Sequence, residues 1–302
     1  MLSMSSLQPG GHPRLIGDTD IQRFREDGFL IVRDVFSPAE IDRFRRAIDE
    51  AIDRRGYRAA PMSERDDYDS MFTQHFNLWE DSETVRELTF DPRLAEIASA
   101  LIGAATIRVY CDQSFYKDPG SSETRAHQDY PLFSIAQTDT ANAWIPLQGV
   151  EPDAGAIGYA KGSHRLGKVT NIDLALGRNP CAEEPLREML RHAVYLDVPE
   201  GSVVFHHVAT FHLARPNRTS RTRKAFAITY FADGSTRGSA CPHPSVDRAH
   251  IRVGEVIRGP ATPVAWPKLD RLPAPPPPIP DAPRGWPRHK RNNSENGSDT
   301  NG

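Results

Sequence analysis

A histidine and an aspartate one residue apart, His127 and Asp129 in Arg125-Ala-His-Gln-Asp-Tyr-Pro, are the side chains best placed for chemistry in this 302-residue chain. In a strand, positions i and i+2 face one way, so an imidazole nitrogen and a carboxylate oxygen can converge on one point. Two such donors form two legs of a facial triad, a set that suits iron(II) and leaves coordination positions open. His-x-Asp alone is a weak signal, and a third leg has to come from a distant strand. The candidates are His206, His207 and His212, in Gly201-Ser-Val-Val-Phe-His-His and the Thr210-Phe-His-Leu-Ala-Arg-Pro-Asn217 that follows. His206 and His207 would lie on opposite faces of their strand. Eleven residues after His212 stands Arg223, at the start of an apolar stretch. Its planar guanidinium suits the distal carboxylate of a bidentate co-substrate such as 2-oxoglutarate.

The elements that must position these residues can be read from periodicity. Thr19-Asp-Ile-Gln22 and Ser37-Pro-Ala-Glu40 have capping-box spacing, the second with proline at the first helical position. The spacing predicts one helix over 19–27, a strand over 29–35, and a helix from 38 that buries Ile41, Phe44, Ile48, Ala51 and Ile52. A further helix over 92–103 turns Leu94, Ile97, Ala98, Leu101 and Ile102 inward. From 106 the period becomes two: Ile107, Val109, Cys111, Gln113, Phe115 and Lys117 alternate with their neighbours. Short strands are expected near 141–147, 156–159, 202–205, 211–215 and 224–231. Helices followed by many short strands predict a mainly β fold, a barrel or jelly roll with a helical layer.

Composition excludes several classes. Hydrophobic residues make up 38% and charged residues 25%, and the formal net charge is −3. That balance predicts no pull toward nucleic acid or an anionic membrane, and leaves a small molecule as the expected partner. No apolar run is long enough to span a bilayer, and the first residues lack the charged and apolar regions of a secretory signal, so a cytoplasmic location is expected. Cys111, Cys181 and Cys241 are odd in number and widely spaced, which predicts free thiols rather than a disulfide framework or a thiolate zinc site. One domain is expected over 18–266, after a flexible extension over 1–17. The tail 267–302 contains a polyproline run over 273–280 and is expected to be largely disordered.

Four blocks in order resemble the phytanoyl-CoA dioxygenase family of iron(II)/2-oxoglutarate oxygenases. They are Asp27-Gly-Phe-Leu-Ile-Val-Arg33, His127-Gln-Asp129, Gly155-Ala-Ile-Gly-Tyr-Ala-Lys-Gly-Ser-His164, and His212 with Asn217 and Arg223. The resemblance spans about 21–266. It implies a double-stranded β-helix (jelly roll, cupin-like) flanked by N-terminal helices. It also implies iron(II) held by His127, Asp129 and His212, with 2-oxoglutarate anchored by Arg223 and dioxygen as co-substrate. The retained Asp129 disfavours halogenation, because related halogenases replace that carboxylate with a small residue.

The chain departs from the family at Ala214, where a small hydroxyl residue usually supports 2-oxoglutarate; Thr210 or Arg221 is expected to compensate. Tyr116 stands where related enzymes often have an amide, and with Trp144 it is an expected wall of the 2-oxoglutarate pocket. The segment 71–79 is expected to help close the site, making Gln74, His75, Asn77 and Trp79, together with Phe133, the expected substrate contacts. No basic cluster suits coenzyme A phosphates, so the expected reaction is hydroxylation of a natural-product intermediate or an amino-acid-like molecule. Desaturation, epoxidation or cyclisation by the same class, and a non-catalytic cupin-like binding module, are the alternatives.

Overall fold

The computed structural model describes residues 15–56, 59–169 and 184–277. Residues 1–14 of the extension expected to be flexible, Cys181, and the tail from 278 lie outside the described residues. In chain order the elements are α1 (Asp18–Asp27), β1 (Phe29–Val32), α2 (Pro38–Arg54), β2 (Thr73–Phe76), α3 (Glu83–Thr89), α4 (Pro92–Ile102), β3 (Ile107–Lys117) and β4 (Thr124–His127). They continue with β5 (Thr140–Pro146), β6 (Ile157–Tyr159), α5 (Leu186–Arg191), β7 (Val194–Tyr195), β8 (Val203–His207), β9 (His212–Ala214), β10 (Arg223–Ala232), α6 (Pro244–Asp247) and β11 (Val264–Trp266).

A large antiparallel sheet runs β1-β8-β5-β10-β3-β11, with β2 added on β3; a smaller one runs β4-β9-β6-β7. The two sheets form the expected jelly roll. Alternation divides each long strand between two cores. Phe226, Ile228 and Tyr230 of β10 pack with Ile41, Phe44 and Ile48 of α2 and Leu94 of α4 on the outer, helical side. Ala225 and Ala227 face inward with Trp144, Val204, Ile157 and Tyr159. On that inner face β10 presents small alanines, against large residues outside.

The second helix starts as its sequence suggested, whereas α1 starts at Asp18 with Gly17 as N-cap, its amide donating to Asp20, and not at the expected Thr19–Gln22 box. Ser37 Oγ accepts from the Glu40 amide while the Glu40 carboxylate accepts from the Ser37 amide, and Pro38 begins the helix. Gly28 ends α1 in the left-handed region at φ 82°, and its backbone passes so close to His164 and Thr210 that a Cβ would lie 2.5 Å from each. β2 and α3 fall where no element was expected; the short Thr73–Phe76 run becomes a strand by pairing with β3, a tertiary effect that no local period announces.

Candidate metal and co-substrate site

One donor atom from each of His127, Asp129 and His212 can be chosen so that all lie within 4.8 Å of one another, in the one such group among the described residues. The two histidines are direct cross-strand partners, His127 at the end of β4 and His212 at the start of β9. Their rings stand 4.1 Å apart. Asp129 arrives differently from expectation. β4 stops at His127, and Asp129 has φ −71° and ψ −30°, at the entry to a single 3-10 turn over Tyr130–Leu132. A turn, not strand alternation, brings its carboxylate back beneath the histidines, with Oδ1 3.8 Å from His127 Nε2 and 3.7 Å from His212 Nε2.

Hydrogen bonds fix the orientation of all three. His127 Nδ1 lies 2.9 Å from the Arg125 carbonyl and His212 Nδ1 3.0 Å from the Thr210 carbonyl. A carbonyl only accepts, so each Nδ1 carries the proton and each Nε2 presents its lone pair to the centre. Burial, with the neighbouring histidine second for His127, pushes both imidazoles down to about 4, which keeps them neutral as ligands must be. Burial alone would raise the Asp129 carboxyl, but the surrounding histidines, His212 first, hold it below the usual carboxylate range. Its outer oxygen, Oδ2, accepts from Asn142 Nδ2 and His206 Nε2, each at 3.0 Å.

Arg223 opens β10, opposite Lys117 of β3. It is 4% exposed, its Nε has no hydrogen-bond partner, and burial pushes it down to about 10 with no carboxylate to offset the loss of water. Its guanidinium lies 5.6 Å from the Trp144 ring. On β5, Trp144 shares a face with Asn142, one i to i+2 step of about 6.8 Å along the strand. A short diacid would be bracketed between this arginine at one end and the His-Asp-His group at the other. Two imidazoles and one carboxylate suit iron(II), and the guanidinium, which donates only to the Phe115 carbonyl at 3.3 Å, suits the distal carboxylate of 2-oxoglutarate.

The profile of the phytanoyl-CoA dioxygenase (PhyH) family matches residues 24–225, two thirds of the chain. The chain belongs to the phytanoyl-CoA dioxygenase family. It is a 2-oxoglutarate-dependent oxygenase, and the family's iron and co-substrate fit the donors just described. Among solved structures, the non-haem α-ketoglutarate-dependent carbocyclase SnoK from nogalamycin biosynthesis is similar at 24% identity and TM-score 0.68, over 82% of this chain and 96% of its own. The epimerase SnoN, in complex with Fe3+, α-ketoglutarate and nogalamycin RO, is 21% identical with TM-score 0.70, over 82% and 98%. EvdO2 from Micromonospora carbonacea var. aurantiaca, complexed with 2-oxoglutarate, is 24% identical with TM-score 0.58, over 76% and 95%. At these identities the likeness is one of fold. None of the curated proteins matches the sequence.

Several expected contacts of this family member are turned elsewhere. Tyr116 points to the helical side, where its hydroxyl donates to Asp49 Oδ1 of α2 at 2.7 Å; the pleat puts it opposite to Phe115 and Lys117. Thr210 donates to the Gly28 carbonyl at 2.8 Å, and Arg221 is exposed beside Glu151, so neither stands in for the hydroxyl missing at Ala214. Across the strand pair from Ala214 stands Thr124, whose Oγ1 accepts from Lys117 Nζ at 3.2 Å. Lys117 also donates to the Met71 and Ser122 carbonyls, so its three protons are spent binding 71 to 122–124.

Of the segment 71–79, Gln74 pairs with Phe115 on the inner face. Tyr68 donates to its Oε1 at 2.9 Å and its Nε2 donates to Gln113 Oε1 at 2.7 Å. His75 instead pairs with Ser114 on the other face. Trp79 is wholly buried in the helical core, edge-on to Phe90. Asn77 takes a left-handed backbone at φ 53°, and its carbonyl accepts from Arg55. Phe133 packs edge-on to Tyr110 in a separate cluster with Phe231 and Val246. Sequence reasoning weighed His206 only as a ligand and missed Asn142; the signal for both is a polar side chain at an inward position beside Val204 and Trp144.

Proposed function

We propose that His127, Asp129 and His212 hold iron(II), that Arg223 and Trp144 seat 2-oxoglutarate, and that the enzyme hydroxylates a small natural-product intermediate in the cytoplasm. The observation that carries the ligand assignment is the convergence of three donors, contributed by two strands and a turn, within 4.8 Å. Iron(II) with dioxygen and 2-oxoglutarate supplies oxidation of an unactivated C–H bond, coupled to decarboxylation of the co-substrate to succinate. The chain does the rest. His127 and His212 offer lone pairs fixed by the carbonyls behind them, and Asp129 adds the negative charge that a divalent ion needs. Arg223 pins the diacid from a dry interior, where its charge is unscreened. The apolar wall of Ala225, Ala227, Val204 and Ile157 excludes water.

The inner wall contributed by Tyr68, Gln74 and Gln113 is polar and uncharged, which supports a neutral, oxygen-bearing substrate over an acyl-CoA. Carbocyclisation and epimerisation by the similar nogalamycin enzymes favour a second reading, in which the same hydrogen abstraction ends in ring closure or inversion. Succinate release with iron(II), 2-oxoglutarate and ascorbate tests the class, and mass spectrometry of the product separates the outcomes. Substitution of His127 or Asp129 by alanine is expected to abolish succinate release; wild-type turnover in Asp129→Ala removes it from the ligand set. No 2-oxoglutarate binding and no turnover across a substrate panel would favour a binding module.

A further inference from the structure

Behind the Asp129 carboxylate lies a chain of buried groups that the reaction itself does not use. Asp129 Oδ2 is 3.0 Å from His206 Nε2, and His206 Nδ1 is 3.1 Å from the Tyr159 hydroxyl. His206 is 1% exposed and Tyr159 fully buried. The ring of Tyr159 stacks on Phe29 at 4.7 Å and 16°, which ties the chain to β1. With a neutral imidazole its polarity has one solution. An ionised carboxylate only accepts, so His206 Nε2 carries the proton; Nδ1 then accepts, and the tyrosine donates. His206 comes from β8, Tyr159 from β6 and Asp129 from a turn, so three separate elements meet in one hydrogen-bonded chain.

We infer that His206, oriented by Tyr159, is a positioning residue that reserves Asp129 Oδ1 for the metal by occupying Oδ2. Unlike His127 and His212, Asp129 is not fixed by strand pairing, and a carboxylate on a turn is free to rotate about its side-chain bonds. The second hydrogen bond to Oδ2, from Asn142, comes from an amide whose own Oδ1 has no partner; the His206 ring is held at both nitrogens. With Oδ2 engaged from both sides, Oδ1 is left facing the two Nε2 atoms and binds through a single oxygen. The inference rests on the ligand assignment under Proposed function. It explains a buried histidine six residues before His212 that is not itself in the donor group.

The test is metal affinity and coordination geometry in the full chain, with Mn(II) and Co(II) as probes. Wild type, His206→Leu, His206→Gln, Tyr159→Phe and Asp129→Ala are titrated with Mn(II) by calorimetry, and the visible d–d bands of their Co(II) forms are recorded. Outer partners of metal ligands are typically worth about 10–100-fold in affinity. His206→Leu is expected to lose that much and to shift the Co(II) bands. His206→Gln, whose amide can donate to Oδ2, recovers most of it; Tyr159→Phe shows a smaller loss in the same direction. Wild-type affinity and spectrum in folded His206→Leu overturn the inference, as does equal loss in the leucine and glutamine variants, which would indicate packing alone. Should His206→Leu fail to fold, Tyr159→Phe decides, and an unchanged Kd and spectrum there overturn it. Failure of the ligand assignment looks different: wild type binds no Mn(II), or Asp129→Ala binds as wild type does, and the inference falls with it.

Discussion

A guanidinium buried without a carboxylate beside it is costly, and proteins keep one where a ligand supplies the missing charge. Arg223 fits that description, with Nε unpartnered and Trp144 alongside, and its proposed role as the 2-oxoglutarate anchor can be tested. Truncating it removes a charge-assisted pair with the diacid, worth about 1.5–3 kcal/mol or roughly ten- to a hundredfold in affinity. Arg223→Ala is therefore expected to raise the 2-oxoglutarate Kd of Mn(II)-loaded protein by that factor while leaving Mn(II) affinity near wild type. Arg223→Lys should fall between, since an ammonium keeps the charge and loses the fork. A titration showing unchanged 2-oxoglutarate binding in Arg223→Ala would transfer the anchor role elsewhere. The sequence singled out His127, Asp129, His212 and Arg223 by residue type and spacing, and the structure gathers the first three and buries the fourth, although a turn rather than strand alternation turns Asp129 inward. Tyr116 and Thr210 misled because their types fit while their facing did not. Facing at a strand end is set by pairing register, which a single strand does not encode.

The elements around the site carry their own tests. α2 owes its start to the Ser37–Glu40 capping box, and Glu40 also accepts from Arg93 at 2.9 Å. Slight burial raises the Glu40 carboxyl, but the Ser37 amide and the Arg93 side chain outweigh it and bring it from 4.5 down to about 2. A depressed carboxyl stabilises the fold above its ordinary titration range and loses that contribution as pH falls toward 2. The difference in urea midpoint between wild type and Glu40→Gln should accordingly be present at pH 6 and shrink between pH 4.5 and 2. Gly28 is a second element-scale test. Alanine there meets a left-handed backbone, about 1–2 kcal/mol unfavourable by itself, and a Cβ 2.5 Å from Thr210 Oγ1. Gly28→Ala should lower the urea midpoint and also weaken Mn(II) binding, because the Thr210 carbonyl orients His212. Helices α1, α2 and α4 and the longer strands were legible from caps and periods; α3, α5 and α6 were not, nor were β2, β7 and β11. These three strands are short, and pairing rather than composition makes them strands.

At the scale of the whole molecule, the ligands come from regions 85 residues apart in the chain, His127 and His212, so binding a metal closes a long loop only in the folded state. An ion that binds native protein alone stabilises it by about 2.7 kcal/mol at a hundredfold excess over Kd. For a domain of this size that is a rise in Tm of about 5–10 °C. Mn(II) should produce this rise in wild type, reversed by a chelator, and none in Asp129→Ala. The jelly roll was legible as a class from helices preceding short strands. Its division into a helix-packed outer face and a chemically equipped inner face required the register of β3, β5, β8 and β10, which alternation alone left two-fold ambiguous. No helix among the described residues is long and apolar enough to cross a membrane.

β4 is the outer strand of the smaller sheet and touches β9 at only two register positions, Thr124 with Ala214 and His127 with His212. One of those two rungs is the pair of imidazoles itself. A bridging cation would thus act as a rivet in a seam of only two rungs, so that loading the site and closing that edge become a single equilibrium. Deuterium uptake at β4 and β9 should slow when Mn(II) is added, while the amides of β3 and β10, zipped along ten rungs, exchange at the same rate with or without it.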